Sequence, residues 1–164
     1  MNPLRLRRTR EEELTELARM EQASDTLPFI VPYTLERHRL AFARDDVDYW
    51  SICGPEDQLL GFAIVALDTD GESVELRRIV VAEKGRGYGR EAMVRIGRLC
   101  AAEYGRRRIW LDVFNFNERG RRLYETLGYR FLREEPHERG ALRVYENELQ
   151  PQRGADEANH LAGY

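Results

Sequence analysis

Apolar and polar residues follow each other along this chain in two periods that predict a mixed domain of strands and helices. Alternation is typical of a strand with one buried face, and apolar residues three or four apart are typical of an amphipathic helix. The predicted strands are 4–7, 49–53, 59–67, 73–81, 108–113, 129–132 and 143–149, and the predicted helices, with their caps, are 11–23, 34–42, 87–104 and 117–127. This order predicts a layered α/β (α+β) fold with a mixed central sheet of about seven strands flanked by about four helices.

Turn and cap residues support these boundaries. Clusters of glycine, proline and aspartate at 54–57 and 68–71 separate the three central strands, which predicts an antiparallel meander. Thr34 and Asn117 are residue types that cap helix N-termini, and Gly128 follows the last helix as a C-terminal glycine does. We therefore expect the second and fourth helices to begin at these caps.

The chain is expected to form one domain over residues 1–150. It contains no internal repeat, and its length suits a single core. Residues 151–164 are polar with glycines and predict a loose tail. Residues 27–33 are apolar but interrupted by prolines, which predicts a loop between the first two helices that lies over a pocket.

Composition narrows the class of protein. The net charge of −3 argues against a nucleic-acid-binding protein. No apolar run is long enough to span a membrane, and residues 1–10 are too basic and too poor in leucine for a signal peptide, so we expect a cytoplasmic protein. Cys53 and Cys100 lie in apolar stretches without a nearby cysteine or histidine, which predicts buried thiols and no metal site.

The basic residues are unevenly distributed. Residues 84–133 carry 13 lysine or arginine and 5 aspartate or glutamate side chains, a net charge of +8, whereas the remainder of the chain carries −11. A solvated helix surface is the simplest explanation of such a run. This segment, however, contains a glycine-rich loop, and the combination favours a bound polyanion.

That loop, Lys84-Gly85-Arg86-Gly87-Tyr88-Gly89, follows a predicted strand and opens a predicted helix. Glycines allow an anion to approach the backbone N–H groups that the first helical turn leaves unpaired. Arg86 and Arg90 lie at the same helix N-terminus, where the helix dipole disfavours cations and an anion between them would relieve the conflict. A flexible turn with chance arginines is the alternative interpretation.

Two other phosphate-binding motifs compete with this interpretation. A P-loop would place Ser or Thr after a lysine, and Gly89 is followed by Arg90-Glu91, so that class is excluded. A dinucleotide fingerprint matches the glycine spacing of residues 87–92, with Asp112 near the required acidic position. The antiparallel meander before the loop and the short chain after it argue against a dinucleotide fold.

In these features the sequence resembles the GNAT superfamily of N-acetyltransferases over about residues 4–149. The family's acetyl-CoA motif has Arg or Gln, two residues, Gly, one residue, then Gly or Ala, and Lys84, Gly87 and Gly89 occupy those positions, with lysine as a departure. Residues 111–118 and 123–129 resemble the family's following strand, helix and Gly-aromatic segment. The resemblance implies acetyl-CoA as cosubstrate, no metal, and transfer to a primary amine.

The resemblance also implies which residues bind acetyl-CoA. The strand before the loop would pair with the pantetheine arm through its backbone, the loop would bind the pyrophosphate, and the helix cap would reach the cofactor amide. The implied cofactor-binding residues are Ile79, Val80, Val81, Lys84, Arg86, Gly87, Tyr88, Gly89, Arg90 and Asn117. Asn117 as a cap only is an equally good interpretation of that residue.

Tyr124 matches the family's general acid. A phenol with an ordinary pKa near 10 is protonated at neutral pH and can donate to a departing thiolate. By spacing alone, with Leu123 and Leu127, Tyr124 is better interpreted as a core residue, and the match to the family motif reverses that preference. Glu75 and Asp112 are the two carboxylates expected near the cleft, and either could be the general base or a surface residue in an ion pair.

Three functions are compatible with these residues. The first is an N-acetyltransferase in which the amine attacks acetyl-CoA directly in a ternary complex, since no Ser-His-Asp arrangement or activated cysteine offers a nucleophile. The others are an idle acyl-CoA-binding module and a dinucleotide-binding protein. The acceptor amine, on a small molecule or a protein, is not indicated by any motif, no membrane or nucleic-acid partner is expected, and the family resemblance allows a homodimer.

Overall fold

The part of the chain that the structure describes contains seven strands and four α-helices in the order that the hydrophobic pattern predicts. The structure is a computed structural model and describes residues 4–151; the predicted tail at 151–164 lies outside these residues except for Pro151. The elements are β1 (Arg5–Arg8), α1 (Leu14–Glu21), α2 (Leu35–Phe42), β2 (Val47–Cys53), β3 (Leu59–Leu67), β4 (Ser73–Val81), α3 (Tyr88–Tyr104), β5 (Arg108–Phe114), α4 (Glu118–Thr126), β6 (Arg130–Glu135) and β7 (Leu142–Glu148).

All seven strands form one mixed sheet in the order β1-β2-β3-β4-β5-β7-β6. The neighbours β1 to β4 are antiparallel, which confirms the predicted meander, and so are β5, β7 and β6. Only β4 and β5 are parallel, and α3 connects them. This arrangement is not the doubly wound parallel sheet that a dinucleotide-binding fold requires.

The helices cover both faces of the sheet, because side chains alternate between the two faces along each strand. On one face, α3 and α4 pack over a core that includes Val74, Leu76, Leu111 and Val113. On the other, α1 and α2 pack over a second core. We call these the α3–α4 face and the α1–α2 face. Cys53 and Cys100 are free and fully buried, which confirms the predicted burial of both thiols.

The caps are confirmed, whereas several strand ends differ from prediction by one to three residues. Thr34 Oγ1 accepts a hydrogen bond from the Arg37 amide, and Asn117 Oδ1 accepts one from the Gly120 amide. The first helix begins as a turn of 3₁₀ helix at Glu11–Glu13, where the Glu13 carboxylate accepts from the Arg10 amide at 2.8 Å. Local periodicity does not specify such ends, which depend on caps and pairing partners.

No helix within residues 4–151 is long and apolar enough to cross a membrane. The same residues contain no group of three or more His, Cys, Asp or Glu side chains arranged to hold a metal ion.

Candidate active site

The parallel strands β4 and β5 separate after a short paired segment, and a cleft opens between them. They pair only from Ser73 with Arg108 to Glu75 with Trp110. Opposite Ile64 and Val65 of β3 the register of β4 shifts, so that Arg77 is an extra residue in a bulge, a feature that bends a strand. The cleft has a volume of about 1080 Å³ and is lined by residues of both strands, the glycine loop, α4 and the loop before α2.

The glycine loop forms one end of the cleft. Gly85 and Gly87 have φ angles of 83° and 77°, a left-handed conformation that strongly favours glycine. Space is open above both, since a Cβ added at either would have no atom within 4 Å. Within residues 4–151, no loop, cap or side-chain hydrogen bond uses the amides of residues 85–90. The first turn of α3 therefore presents unpaired N–H groups, which suit an anion.

The basic side chains around this loop differ in their orientation. Arg86 pairs with Glu83 at 2.9 Å and does not line the cleft, so its conflict with the helix dipole is relieved within the protein. Lys84 lines the cleft, and its Nζ donates to Thr26 Oγ1 at 2.7 Å, which ties the loop after α1 to the end of β4. Arg90 lines the cleft and donates to Thr126 Oγ1 of α4 at 2.6 Å.

The backbone of Ile79, Val80 and Val81 forms the β4 wall of the cleft beyond the paired segment. Ile79 and Val81 pack towards the α3–α4 core, and Val80 belongs to the core on the other face. Tyr88 and Gly89 of α3 line the same end of the cleft. A ligand lying along this wall would meet the strand edge that β5 leaves unpaired.

Asn117 and Tyr124 approach the cleft from α4. Asn117 Oδ1 is used as the helix cap at 2.9 Å, and its amide nitrogen donates no hydrogen bond to any residue in 4–151. Tyr124 packs against the α3–α4 core with its ring centroid 5.9 Å from that of Tyr129. The Tyr124 hydroxyl makes no hydrogen bond to another described residue and belongs to a cleft-lining side chain. Both polar groups are thus available to a ligand.

Burial and the negative charge of Asp112 raise the pKa of Tyr124 to about 12. The phenol is therefore neutral at physiological pH and carries a proton that it can donate. The same two causes would make a phenolate short-lived in this environment, because it would lie in a poorly solvated position near a carboxylate.

Glu75 and Asp112 both lie on the α1–α2 face. Glu75 is opposite Ala66, which packs in that core, and Asp112 alternates with Leu111 and Val113, which pack on the other face. Glu75 accepts from Arg77 Nε at 3.1 Å. Asp112 has no hydrogen bond or ion pair with any residue in 4–151. The two carboxylates therefore differ, since Glu75 has a cationic partner and Asp112 has none.

The surroundings of Asp112 raise its pKa above the ordinary value. Partial desolvation of the carboxyl is the main cause, and the negative charges of Glu75 and Glu135 act in the same direction, while Arg78 and His137 partly offset them. Asp112 is an exposed residue of β5 that lines the open cleft, so its desolvation comes from the cleft walls and not from burial in a core. A carboxylate in this position is a stronger base than one on the surface.

A buried polar cluster that sequence reasoning missed supports the α1–α2 wall of the cleft. Glu21 and His38 are fully buried and hydrogen-bonded to each other, and Glu21 also forms an ion pair with Arg78 of β4. With His38 Nε2 donating to Glu21, Nδ1 accepts from the Tyr49 hydroxyl at 2.7 Å. The sequence did contain one signal of this burial, because His38 is spaced between Leu35 and Phe42 on one face of the helix.

The loop before α2 lies over the cleft, as its apolar sequence predicts. Phe29, Ile30, Val31 and Tyr33 line the cavity. Arg78 Nη2 donates to the Val31 carbonyl at 2.8 Å. Arg139, from the turn between β6 and β7, donates to the carbonyls of Ile30 at 2.5 Å and Pro28 at 2.9 Å, contacts that no local pattern signals.

Comparisons with known proteins agree with this geometry. A family model described as the acetyltransferase (GNAT) family matches residues 12–129. A search of curated proteins finds no match. Among solved structures, the spermidine N-acetyltransferase from Vibrio cholerae in complex with CoA and spermine aligns with a TM-score of 0.78 at 16% identity, over 90% of this chain and 96% of that one. An acetyltransferase from Thermus thermophilus aligns with a TM-score of 0.73 at 20% identity, over 91% and 100% of the two chains. At these identities the structural likeness establishes the fold.

Proposed function

Because the chain belongs to the acetyltransferase (GNAT) family, we propose that it transfers the acetyl group of acetyl-CoA to a primary amine. One observation carries this proposal: the cleft between β4 and β5 has unpaired amides at one end and a neutral phenol and a carboxylate farther along it. From Val81 to Glu75 a strand spans roughly 20 Å at about 3.3 Å per residue, which separates the phosphate end from the reacting end.

The phosphate end fits a pyrophosphate. Unpaired amides of residues 85–90, the positive end of the α3 dipole and the side chain of Arg90 favour an anion there. Lys84 lies beside them, although its charge is partly offset by an ion pair with Asp25 at 3.6 Å. The unpaired edge of Ile79–Val81 offers backbone groups to the pantetheine amides, and the free amide nitrogen of Asn117 offers a further donor. Arg86 is paired with Glu83 and does not line the cleft, and in this proposal it contributes only to the general positive potential.

The reaction proceeds by direct attack in a ternary complex. The neutral amine nitrogen forms a bond to the thioester carbonyl carbon, the carbon–sulfur bond breaks, and its electron pair leaves on the CoA sulfur. Tyr124 donates its proton to that thiolate, and the proton lost by the amine passes to a carboxylate. The described residues that line the cleft include no cysteine or serine, and Cys53 and Cys100 are buried, which supports a mechanism without an acyl-enzyme.

Asp112 is the better candidate for that carboxylate. Its raised pKa and lack of a partner among the described residues suit a proton acceptor, whereas Glu75 is engaged by Arg77. In this proposal Glu75 acts on Asp112 through its charge and helps to receive the ammonium form of the acceptor.

The substitution Tyr124→Phe tests the proposal and separates it from an idle acyl-CoA-binding module. Turnover with an acceptor should fall by about 10² to 10⁴, because the general acid is lost while the ring is kept. Acetyl-CoA affinity and the midpoint of thermal unfolding should be unchanged. CoA release with a panel of amino acids, polyamines and peptides measures turnover.

Thermal shifts with acetyl-CoA, CoA and NAD provide the binding control. A ligand at a hundred times its Kd stabilises the folded protein by about 2.7 kcal/mol. Stabilisation by NAD and not by acetyl-CoA would contradict the proposal. If Tyr124→Phe retains wild-type turnover under conditions in which the chemical step limits the rate, Tyr124 is a core residue and not the general acid.

A further inference from the structure

The charges on the α1–α2 wall of the cleft are mostly neutralised in pairs. Arg77 is paired with Glu75 at 3.1 Å, and Arg78 is paired with the fully buried Glu21. Such pairs leave little net charge for a ligand to recognise, because each guanidinium already faces a carboxylate.

Two charged side chains in this part of the cleft have no such partner. The Arg37 guanidinium and the Asp112 carboxylate both line the cleft, and neither forms an ion pair or side-chain hydrogen bond with any residue in 4–151. One is positive and the other negative. The wall thus presents two separate and opposite unpaired charges to whatever occupies it.

Arg37 is an exposed residue whose guanidinium stacks on an aromatic ring. Its guanidinium lies 3.9 Å from the centroid of the Tyr33 ring, and Tyr33 is only 9% exposed. The guanidinium of Arg78 lies 4.7 Å from the same centroid. A guanidinium near an aromatic ring keeps N–H groups available for a carboxylate, which it binds with two parallel hydrogen bonds. The Tyr33 hydroxyl makes no hydrogen bond within the described residues and is a further donor.

From this arrangement we propose that the acceptor is a zwitterion, an amine that also carries a carboxylate, with its carboxylate at Arg37 and Tyr33 and its amino group at Asp112. The proposal rests on the proposed acetyl transfer and names its substrate class. A diamine of the same length would place its second ammonium against Arg37, where like charges repel. Amino acids and related amino carboxylates are therefore favoured over polyamines.

The experiment compares matched acceptors with the wild-type protein and acetyl-CoA. Common L-amino acids and ω-amino carboxylates of increasing length are compared with the same molecules in which an amide or a second amine replaces the carboxylate. We expect kcat/KM for the best zwitterion to exceed that of its matched amide or diamine by about 10- to 100-fold, the value of a hydrogen-bonded charge contact. The length dependence reports the separation of Arg37 and Asp112.

Charge reversal at Arg37 provides the decisive variant. Arg37→Glu should remove the preference, chiefly through KM, and raise kcat/KM for the matched diamine. Arg37→Lys should retain only part of the preference, because the positive charge remains but the bidentate hydrogen bonding to a carboxylate is lost. Arg39→Glu is the matched control, since Arg39 is exposed on the same helix, about 200° away, and does not line the cleft. It should keep the wild-type preference.

Acetyl-CoA binding is measured separately by thermal shift, so that the two proposals fail differently. The zwitterion proposal alone is overturned if the protein still binds acetyl-CoA but prefers diamines or amides, or accepts no zwitterion. An unchanged preference in Arg37→Glu also overturns it. Absence of acetyl-CoA binding overturns the proposed function as well.

Discussion

At the scale of single residues, Asp112 combines a proposed catalytic role with a cost to stability. Its carboxyl has a raised pKa in the folded protein, so the ionised form is less favourable there than in the unfolded chain. Partial desolvation and the negative charges of Glu75 and Glu135 raise this pKa, and the charges of Arg78 and His137 partly offset the increase. Residues whose surroundings disfavour their working charge state are typical of functional sites.

We predict that Asp112→Asn increases the free energy of unfolding at neutral pH while abolishing most turnover. The sign follows from linkage: a raised native pKa stabilises the fold below the ordinary value of 3.8 and loses that contribution as the pH rises through the native pKa. The gain in the variant should therefore grow with pH and vanish towards acid. Urea unfolding between pH 4 and 8 measures it.

Asp45→Asn is the control for this prediction. Asp45 has an exposed side chain away from the cleft, and its substitution removes the same charge. A variant at position 112 that is less stable than the wild type at pH 7, with Asp45→Asn unaffected, would contradict the assigned surroundings of Asp112.

At the scale of elements, the junction of β4 and α3 is where backbone geometry creates a binding site. The loop uses left-handed glycines to turn the chain, and the first turn of α3 then presents free amides. Gly87 is a poor position for a test, because any side chain there is strained at a φ of 77°. Gly89 lies within α3, and a Cβ there would meet only Leu123 Cδ2, at 3.7 Å.

We predict that Gly89→Glu weakens acetyl-CoA binding by at least about tenfold without unfolding the protein. The new carboxylate would occupy the phosphate end and repel the pyrophosphate, while helical backbone accepts glutamate readily. Calorimetric titration measures the affinity. Ala102→Glu, an exposed position on the same helix, adds the same charge and should bind normally. Equal affinities of the two variants would show that the phosphates bind elsewhere.

At the scale of the whole molecule, positive and negative charges are concentrated in different parts of the chain, and the positive part lies on one side of the cleft. Residues 84–133, with a net charge of +8, contain α3, β5 and α4, which form one side of the cleft, whereas the rest of the chain carries −11. A positive field around the phosphate end would attract an anionic ligand from solution. Exposed charges contribute to that field only within a Debye length, about 10 Å at 0.1 M salt.

We therefore predict that the Kd for acetyl-CoA increases with ionic strength. Titrations at a series of sodium chloride concentrations, at constant pH, measure the dependence. The variant Arg90→Gln should show a shallower dependence, because Arg90 is a cation that lines the phosphate end. An affinity that does not change with salt would mean that short-range contacts alone hold the cofactor.

The sequence by itself determined the local structure. Alternation and helical spacing predicted the seven strands and four α-helices of the described residues, but not the turn of 3₁₀ helix at Leu27–Phe29. The chemistry of Thr34 and Asn117 predicted two caps that the structure confirms. The position of the glycine loop between a strand and a helix, and the resemblance around it, also followed from residues close together in the chain. Local signals suffice for these features because periodicity, capping and turn conformation involve only a few neighbouring residues.

Only the tertiary structure decided how distant segments meet. The separation of β4 and β5 depends on where two strands stop pairing whose paired residues lie 35 positions apart, from Ser73 with Arg108 to Glu75 with Trp110, and no property of either strand alone shows it. His38 is a core residue because Glu21 and Tyr49 meet it across two helices and a strand, and Arg139 reaches Ile30, 109 positions away. Other basic side chains likewise find their partners far away in the chain, since Arg78 pairs with Glu21, 57 positions away, and Lys84 donates to Thr26, 58 positions away, and sequence spacing does not encode such contacts.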